Sequence, residues 1–185
     1  MAYFGLRYPV IAKYDRSAGT YSDGFVCGKA VSIEVTPNYS EGSLYGDDEQ
    51  AEYEKSFTNA NVTLGTTTLP IVAAETVFGH TVDNSTQAVT KKTTDAANYV
   101  GVGVVIDEVV DGIKKYYAYI LTCAQFSESA ESFTTKGDSI TFSNPTIEGL
   151  AIGDKSSAWQ IKQPFDTAND ALDFIKTTFN MAVSA

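Results

Sequence analysis

The residues able to do chemistry are few and scattered. His80 is the single histidine, so a catalytic triad or an imidazole-bearing metal cluster would have to be built around it. It follows a helical apolar pattern in Val77-Phe78-Gly79-His80-Thr81 and reads as an imidazole bonded to backbone at a helix end. Cys27 and Cys123 lie far apart in apolar, strand-like stretches and outside any CxxC. They read as two buried thiols rather than a disulfide, zinc or redox site. Gly101-Val102-Gly103 lacks the third glycine and the helix start of a dinucleotide fingerprint, and no GxSxG, HExxH, P-loop or EF-hand pattern occurs. Asp47, Asp48 and Glu49 could gather calcium, but they lack oxygen ligands at alternating positions and read as a solvated charge run. Two facing carboxylates are open to any acidic β-protein, and the sequence nominates no pair. Tyr116, Tyr117 and Tyr119 cannot form one stacking stripe, because on a strand 117 and 119 point one way and 116 the other; they read as packing residues. The expectation is a non-enzyme without cofactor or metal.

Charge narrows the partners. The 185 residues include 13 basic and 23 acidic side chains, a formal net charge of −10. Such a surface repels phosphate and anionic lipid, which argues against tight binding to nucleic acid or to a membrane surface. The most apolar stretch, Val100 to Ile106, runs at once into Asp107 and Glu108 and is too short to span a bilayer. Met1 to Arg7 lacks the basic start and apolar run of a secretory signal, so folding in a cytosol is expected and the sequons at Asn38, Asn61 and Asn84 read as chance matches.

The elements that must position these residues follow a period of two. Residues 8–14 and 25–35 read as strands, the second with Cys27, Lys29, Val31, Ile33 and Val35 on one face. Residues 98–110 carry Val100, Val102, Val104 and Ile106 on one side, expected as core beneath the helices, with Gly101 and Gly103 opposite, where an aromatic ring or second backbone could lie close. Asp111-Gly112 is a two-residue hairpin signal, with 113–126 running back. Further strands are expected at 86–92, 131–135, 139–143, 146–152 and 157–163. One helix is expected over 70–78, stopped by Gly79, and a second from about 168 to 179, capped by Asp166 or Thr167, with Ala171, Leu172, Ile175 and Phe179 as its stripe. The fold class is mainly β, a sandwich or barrel in a single domain over 1–185, with one or two flanking helices.

Residues 37–56 depart from this pattern. They carry a net charge of −5, half that of the whole chain, and no sustained apolar alternation. They read as an extended acidic loop, and a loop of that length in a compact domain is usually functional.

Taken in order, Ala12-Lys13-Tyr14, YSDGFVCGKAVSIEVTPNYSEGSLYGDD (21–48), VTLGTTTLP (62–70), VFGH (77–80), NYVGVG (98–103), the long hairpin and TTKGDSITFSNPTIEG (134–149) resemble the major tail proteins, or tail tube proteins, of long-tailed non-contractile bacteriophages. The resemblance rests on order and spacing across nearly the whole chain. It implies a tail-tube-type β-sandwich or barrel with a flanking helix, assembled in the bacterial host cytoplasm into hexameric rings that stack as the virion tail tube. Strands from six subunits would close an inner barrel around the tape measure protein, with terminator and tail-tip or baseplate proteins at the ends. DNA would later pass through without specific binding. It further implies that Tyr39, Glu41, Gly42, Leu44, Tyr45, Gly46, Asp47 and Asp48 contact the neighbouring ring, with Gly42 and Gly46 turning the loop. Two other classes fit the residues: a non-enzymatic β-sandwich virion binding or decoration module, and a small carboxylate-dependent glycosidase.

Overall fold

The computed structural model describes residues 2–47, 49–128, 135 and 144–182. The expected hairpin lies at its centre: β7 (Tyr99–Val110) and β8 (Ile113–Glu128) pair antiparallel in long register across Asp111 and Gly112. Both turn residues have positive φ, +50° and +81°, as the primed two-residue turns require. Around them lie β1 (Ala2–Asp15), β2 (Thr20–Val26), β3 (Ala30–Gly46), β4 (Glu49–Thr66), β9 (Thr146–Ile152) and β10 (Gln160–Phe165). The sheet order is β2-β1-β7-β8-β9-β4-β3, antiparallel throughout, with β10 pairing the first half of β8 and β9 the second half. A separate two-stranded sheet, β5 (Thr81–Val82) with β6 (Val89–Thr90), and the helices α1 (Val72–Thr76) and α2 (Ala168–Thr178) complete the described elements. The chain is mainly β with two helices.

The sheet cannot be flat. Six steps of about 4.8 Å would set β2 and β3 about 29 Å apart at its two ends. Only residues 27–29 separate Val26 from Ala30, and that link spans at most about 14 Å. The sheet therefore curls over on itself, sandwich-like, and the chain crosses from one end to the other at a corner. There Cys27 N–H donates to Pro9 O at 2.7 Å, and Gly28 takes φ +59°. This corner breaks the single strand expected over 25–35 in two.

Curling gives the sheet an inside and an outside, and alternate residues serve each. Ile11, Val62, Leu64, Val100, Val102, Leu121 and Phe126 fill the inside with Ala73 of α1 and Val77 at its C-terminal cap. Val10, Ala12, Val105, Ala118 and Ile120 face out, covered by Ala171 and Ile175 of α2 and by Phe179 at its C-terminal cap. Here Gly101 and Gly103 matter: a methyl group on Gly101 would come within 2.6 Å of both Phe179 and Tyr21, and one on Gly103 would collide with Ile175. The close approach expected at the glycines is thus made by α2.

Several expectations are corrected in detail. Val100, Val102 and Val104 are fully buried, but Val100 and Val102 pack toward α1 while α2 covers the opposite, glycine face. Ile106 is only half-buried. Ile175 is fully buried, while Leu172 is half-buried at the margin of the α2 stripe. Thr167 rather than Asp166 caps α2, its hydroxyl accepting from Asp170 N–H at 3.1 Å. The first helix is shorter than 70–78, and Gly79 follows it at φ +72°. Residues 86–92 contribute only the two-residue β6. The strand expected over 157–163 begins at Gln160, because Asp154 Oδ1 draws 154–158 into a turn by accepting from Ser156 N–H and Ala158 N–H. The strands expected at 131–135 and 139–143 fall, save for residue 135, outside the described residues.

Two substitutions test this layout. Gly103→Val should push α2 off β7, lowering unfolding free energy in a urea titration by about 1–3 kcal/mol and speeding hydrogen exchange in α2. Val102→Asp should abolish native folding by burying an unpaired charge, read as loss of the cooperative thermal transition.

Candidate functional site

The residues expected in an acidic loop are instead two paired strands. β3 and β4 stay in register from Ala30↔Thr66 to Gly46↔Glu49, with shifts at Asn38/Tyr39 and Leu44/Tyr45. β9 supports β4 only over Ala60–Gly65, so among the described residues the ribbon from Pro37 to Asn59 is paired with nothing but itself. That distal part reaches about 33 Å, at 3.3 Å for each of the ten β3 residues from Pro37 to Gly46. The apolar alternation that marks a half-buried strand is absent because both faces of the ribbon meet solvent. Gly42 lies within β3 and makes no turn, whereas Gly46 ends the strand and Asp47 turns with φ +52°. Asp48 lies outside the described residues.

The ribbon has two different faces. One carries Tyr39, Glu41 and Ser43 opposite Phe57, Lys55 and Tyr53. Lys55 pairs with Glu41 at 2.6 Å and lies 4.8 Å over the Tyr39 ring, which raises its own pKa and lowers that of Glu41. Tyr39 meets Phe57 edge-on at 6.1 Å, and Phe57 stacks on Trp159 at 4.6 Å, so an aromatic run roots the arm in the body. The other face holds Ser40, Gly42 and Leu44 against Ser56, Glu54 and Glu52. Toward the tip Leu44 is 62% and Tyr45 68% exposed. An isolated two-stranded hairpin is marginal in water, so such an arm gains most from a partner. Phe57 and Trp159 were not singled out in the sequence. The alternation of Phe57, Asn59 and Asn61 with small residues carried the only sign that a strand was running there.

A second unfinished surface lies at the hairpin end. There the sheet is four strands wide, β1-β7-β8-β10. Among the described residues no strand pairs with the outer edge of β10, or with β1 before Pro9 on the side away from β7. α2 covers one face of this quartet. The other carries Tyr3, Glu108, Tyr117 and Lys162, with Tyr3 57% exposed.

His80 is not bonded to backbone through its ring as expected. Its Nδ1 lies 2.8 Å from Asp95 Oδ2 and its Nε2 3.1 Å from Glu128 Oε1, and Lys91 Nζ adds a 2.8 Å contact to Glu128. The two carboxylates sit at opposite ends of the ring and cannot share one ion with it. Among the described residues no group of three or more His, Cys, Asp or Glu side chains is placed to hold a metal. The arrangement clips the segment after α1 to the end of β8. Asp95 is held below the usual carboxylate range by Lys92 N–H and then by His80. Burial pulls Glu128 upward, but Lys91 and His80 outweigh it and leave it lowered.

No protein-family model matches the chain, and a search of curated proteins finds no match either.

Depressed carboxyls stabilise the fold above their unfolded pKa, about 4, and that contribution is lost as pH falls through the lower folded value. Acid unfolding of the wild-type chain should therefore steepen below about pH 4. Asp95→Asn should be less stable at pH 7 and show a shallower acid limb in a pH series of chemical denaturations.

Proposed function

We propose that this chain is a structural subunit that assembles with copies of itself into hexameric rings, stacked as the tail tube of a long-tailed non-contractile phage. The observation that carries the reading is the four-stranded quartet with two unpaired edges. β10 runs parallel to β7, and β1 antiparallel to it, so the two edges run in opposite directions. β10 of one copy laid against β1 of the next therefore continues the antiparallel alternation without a break, and a ring of copies leaves neither quartet edge open. The arm supplies the second contact, reaching the adjacent ring with Leu44, Tyr45 and Asp47 at its tip. A net charge of −10 suits a conduit that DNA must traverse without sticking. In this reading the tape measure protein fills the lumen until ejection, and terminator and tail-tip proteins bound the tube.

Negative-stain electron microscopy over a concentration series, with and without a tail-tip extract, tests this directly. Rings or hollow tubes with sixfold end views are expected; a protein that stays monomeric under every condition overturns the reading. Leu44→Asp with Tyr45→Asp should leave the circular dichroism and melting temperature unchanged, because both side chains are exposed, yet abolish stacking of rings into tubes.

A further inference from the structure

Asp107 and Glu108 are neighbouring carboxylates buried on opposite faces of β7, and only the first is served. Arg7 Nε donates to Asp107 Oδ1 at 3.0 Å, and a second Arg7 nitrogen bonds Oδ2. Glu108 is 0% exposed, and among the described residues neither of its oxygens has a partner at hydrogen-bond distance and angle. Its cross-strand neighbours are Tyr3 on β1 and Lys115 on β8. Lys115 is engaged elsewhere, with Asp166. Tyr117 is the polar group that reaches toward Glu108, close enough that its interaction with the carboxylate, ahead of burial, raises the phenol's pKa, and a neutral phenol leaves the charge without a counter-ion.

The remaining cation on this face is also held away. Lys162 of β10 places its ammonium 4.7 Å over the Tyr3 ring and 4.3 Å over the Tyr117 ring, and donates to the Tyr3 hydroxyl at 2.6 Å. β1 and β10 are the two open edges of the quartet, separated by β7 and β8, a width of about 14 Å for three steps. Two long side chains therefore meet across the whole face, on the side that carries Glu108, which among the described residues has no ion pair.

We propose that the Tyr3–Lys162 strap is a latch of the free subunit, tying its two open edges to each other, and that Glu108 receives the Lys162 ammonium once pairing with further copies draws those edges apart. This rests on the edge-to-edge assembly proposed above. The strapped state keeps one hydrogen bond and two ring contacts at the expense of an orphaned charge. The assembled state exchanges them for an ion pair. Glu108 thereby biases the subunit toward assembly, and Tyr3 against it.

The two residues should consequently act in opposite directions. Tyr3→Phe keeps the ring but removes the acceptor of the strap, and Glu108→Gln keeps the strap but removes the charge that rewards its release. The critical concentration for assembly, read by light scattering and sedimentation with a tail-tip nucleus present, should fall roughly tenfold for Tyr3→Phe and rise roughly tenfold for Glu108→Gln, each the equivalent of one hydrogen bond to a charged group. Glu108→Gln should also raise the melting temperature of the monomer, so its poorer assembly cannot be ascribed to misfolding. Any other pattern of shifts in a protein that does assemble overturns the latch and leaves assembly standing. If wild type and both variants all stay monomeric, the assembly reading falls and the latch with it.

Discussion

The three-residue link from Val26 to Ala30 is the constraint on which the rest of the molecule depends. It forces the two ends of a seven-strand path to meet, and a sheet so curled acquires an enclosed face and an outward one. Everything else is an answer to that division. Ile11 and Leu121 go in while Val10, Ala12 and Ile120 go out, so each long strand must be apolar on both sides where it passes between the two cores. That is why β7 reads as a nearly continuous apolar run in its first half, and why it needs glycine on the side where a helix lies flat against it.

The curl also explains why the chain ends in two kinds of surface that are not cores. Above the corner β1, β7, β8, β9 and β4 each pair on both sides, with β2 and β3 at the two ends of the path. Toward the hairpin tip β9 gives way to β10, and β4 continues without β9, so the sheet forks. One prong is the quartet carrying α2, the other the two-stranded arm. At the fork Tyr39 meets Phe57 edge-on and Phe57 stacks on Trp159, aromatic packing that joins the base of the arm to the body.

Much of the body was legible in the residues. The Asp111-Gly112 turn, the alternation along β7 and the amphipathic stripe of α2 each announce an element whose one face is buried, and burial is what writes periodicity into a sequence. The glycine pair foretold the close approach of Phe179 and Ile175 because a missing side chain there has no other packing use. The arm was not legible, for the same reason in reverse: a ribbon wet on both faces needs no apolar period, so Tyr39 to Gly46 resembles a loop. The break at Gly28 was hidden because alternation continues through it, and only pairing partners far away in sequence reveal that Val26 and Ala30 belong to opposite ends of the sheet. His80 was misjudged because its two carboxylates come from Asp95 and Glu128, contacts that no local pattern encodes.

The fork gives the subunit a direction. Both prongs, the arm tip at Asp47 and the hairpin tip at Asp111, extend from the body toward the same end, since β9 meets Ala60 of β4 and Cys123 of β8 at its own last residues. In the ring proposed above β10 of one copy meets β1 of the next, two different edges, so the contact is heterologous and involves no two-fold axis. Every subunit joined that way points its prongs alike. A filament built from the proposed rings would have a front and a back, one end offering arms and the other the seats for them, and growth at its two ends would not be equivalent.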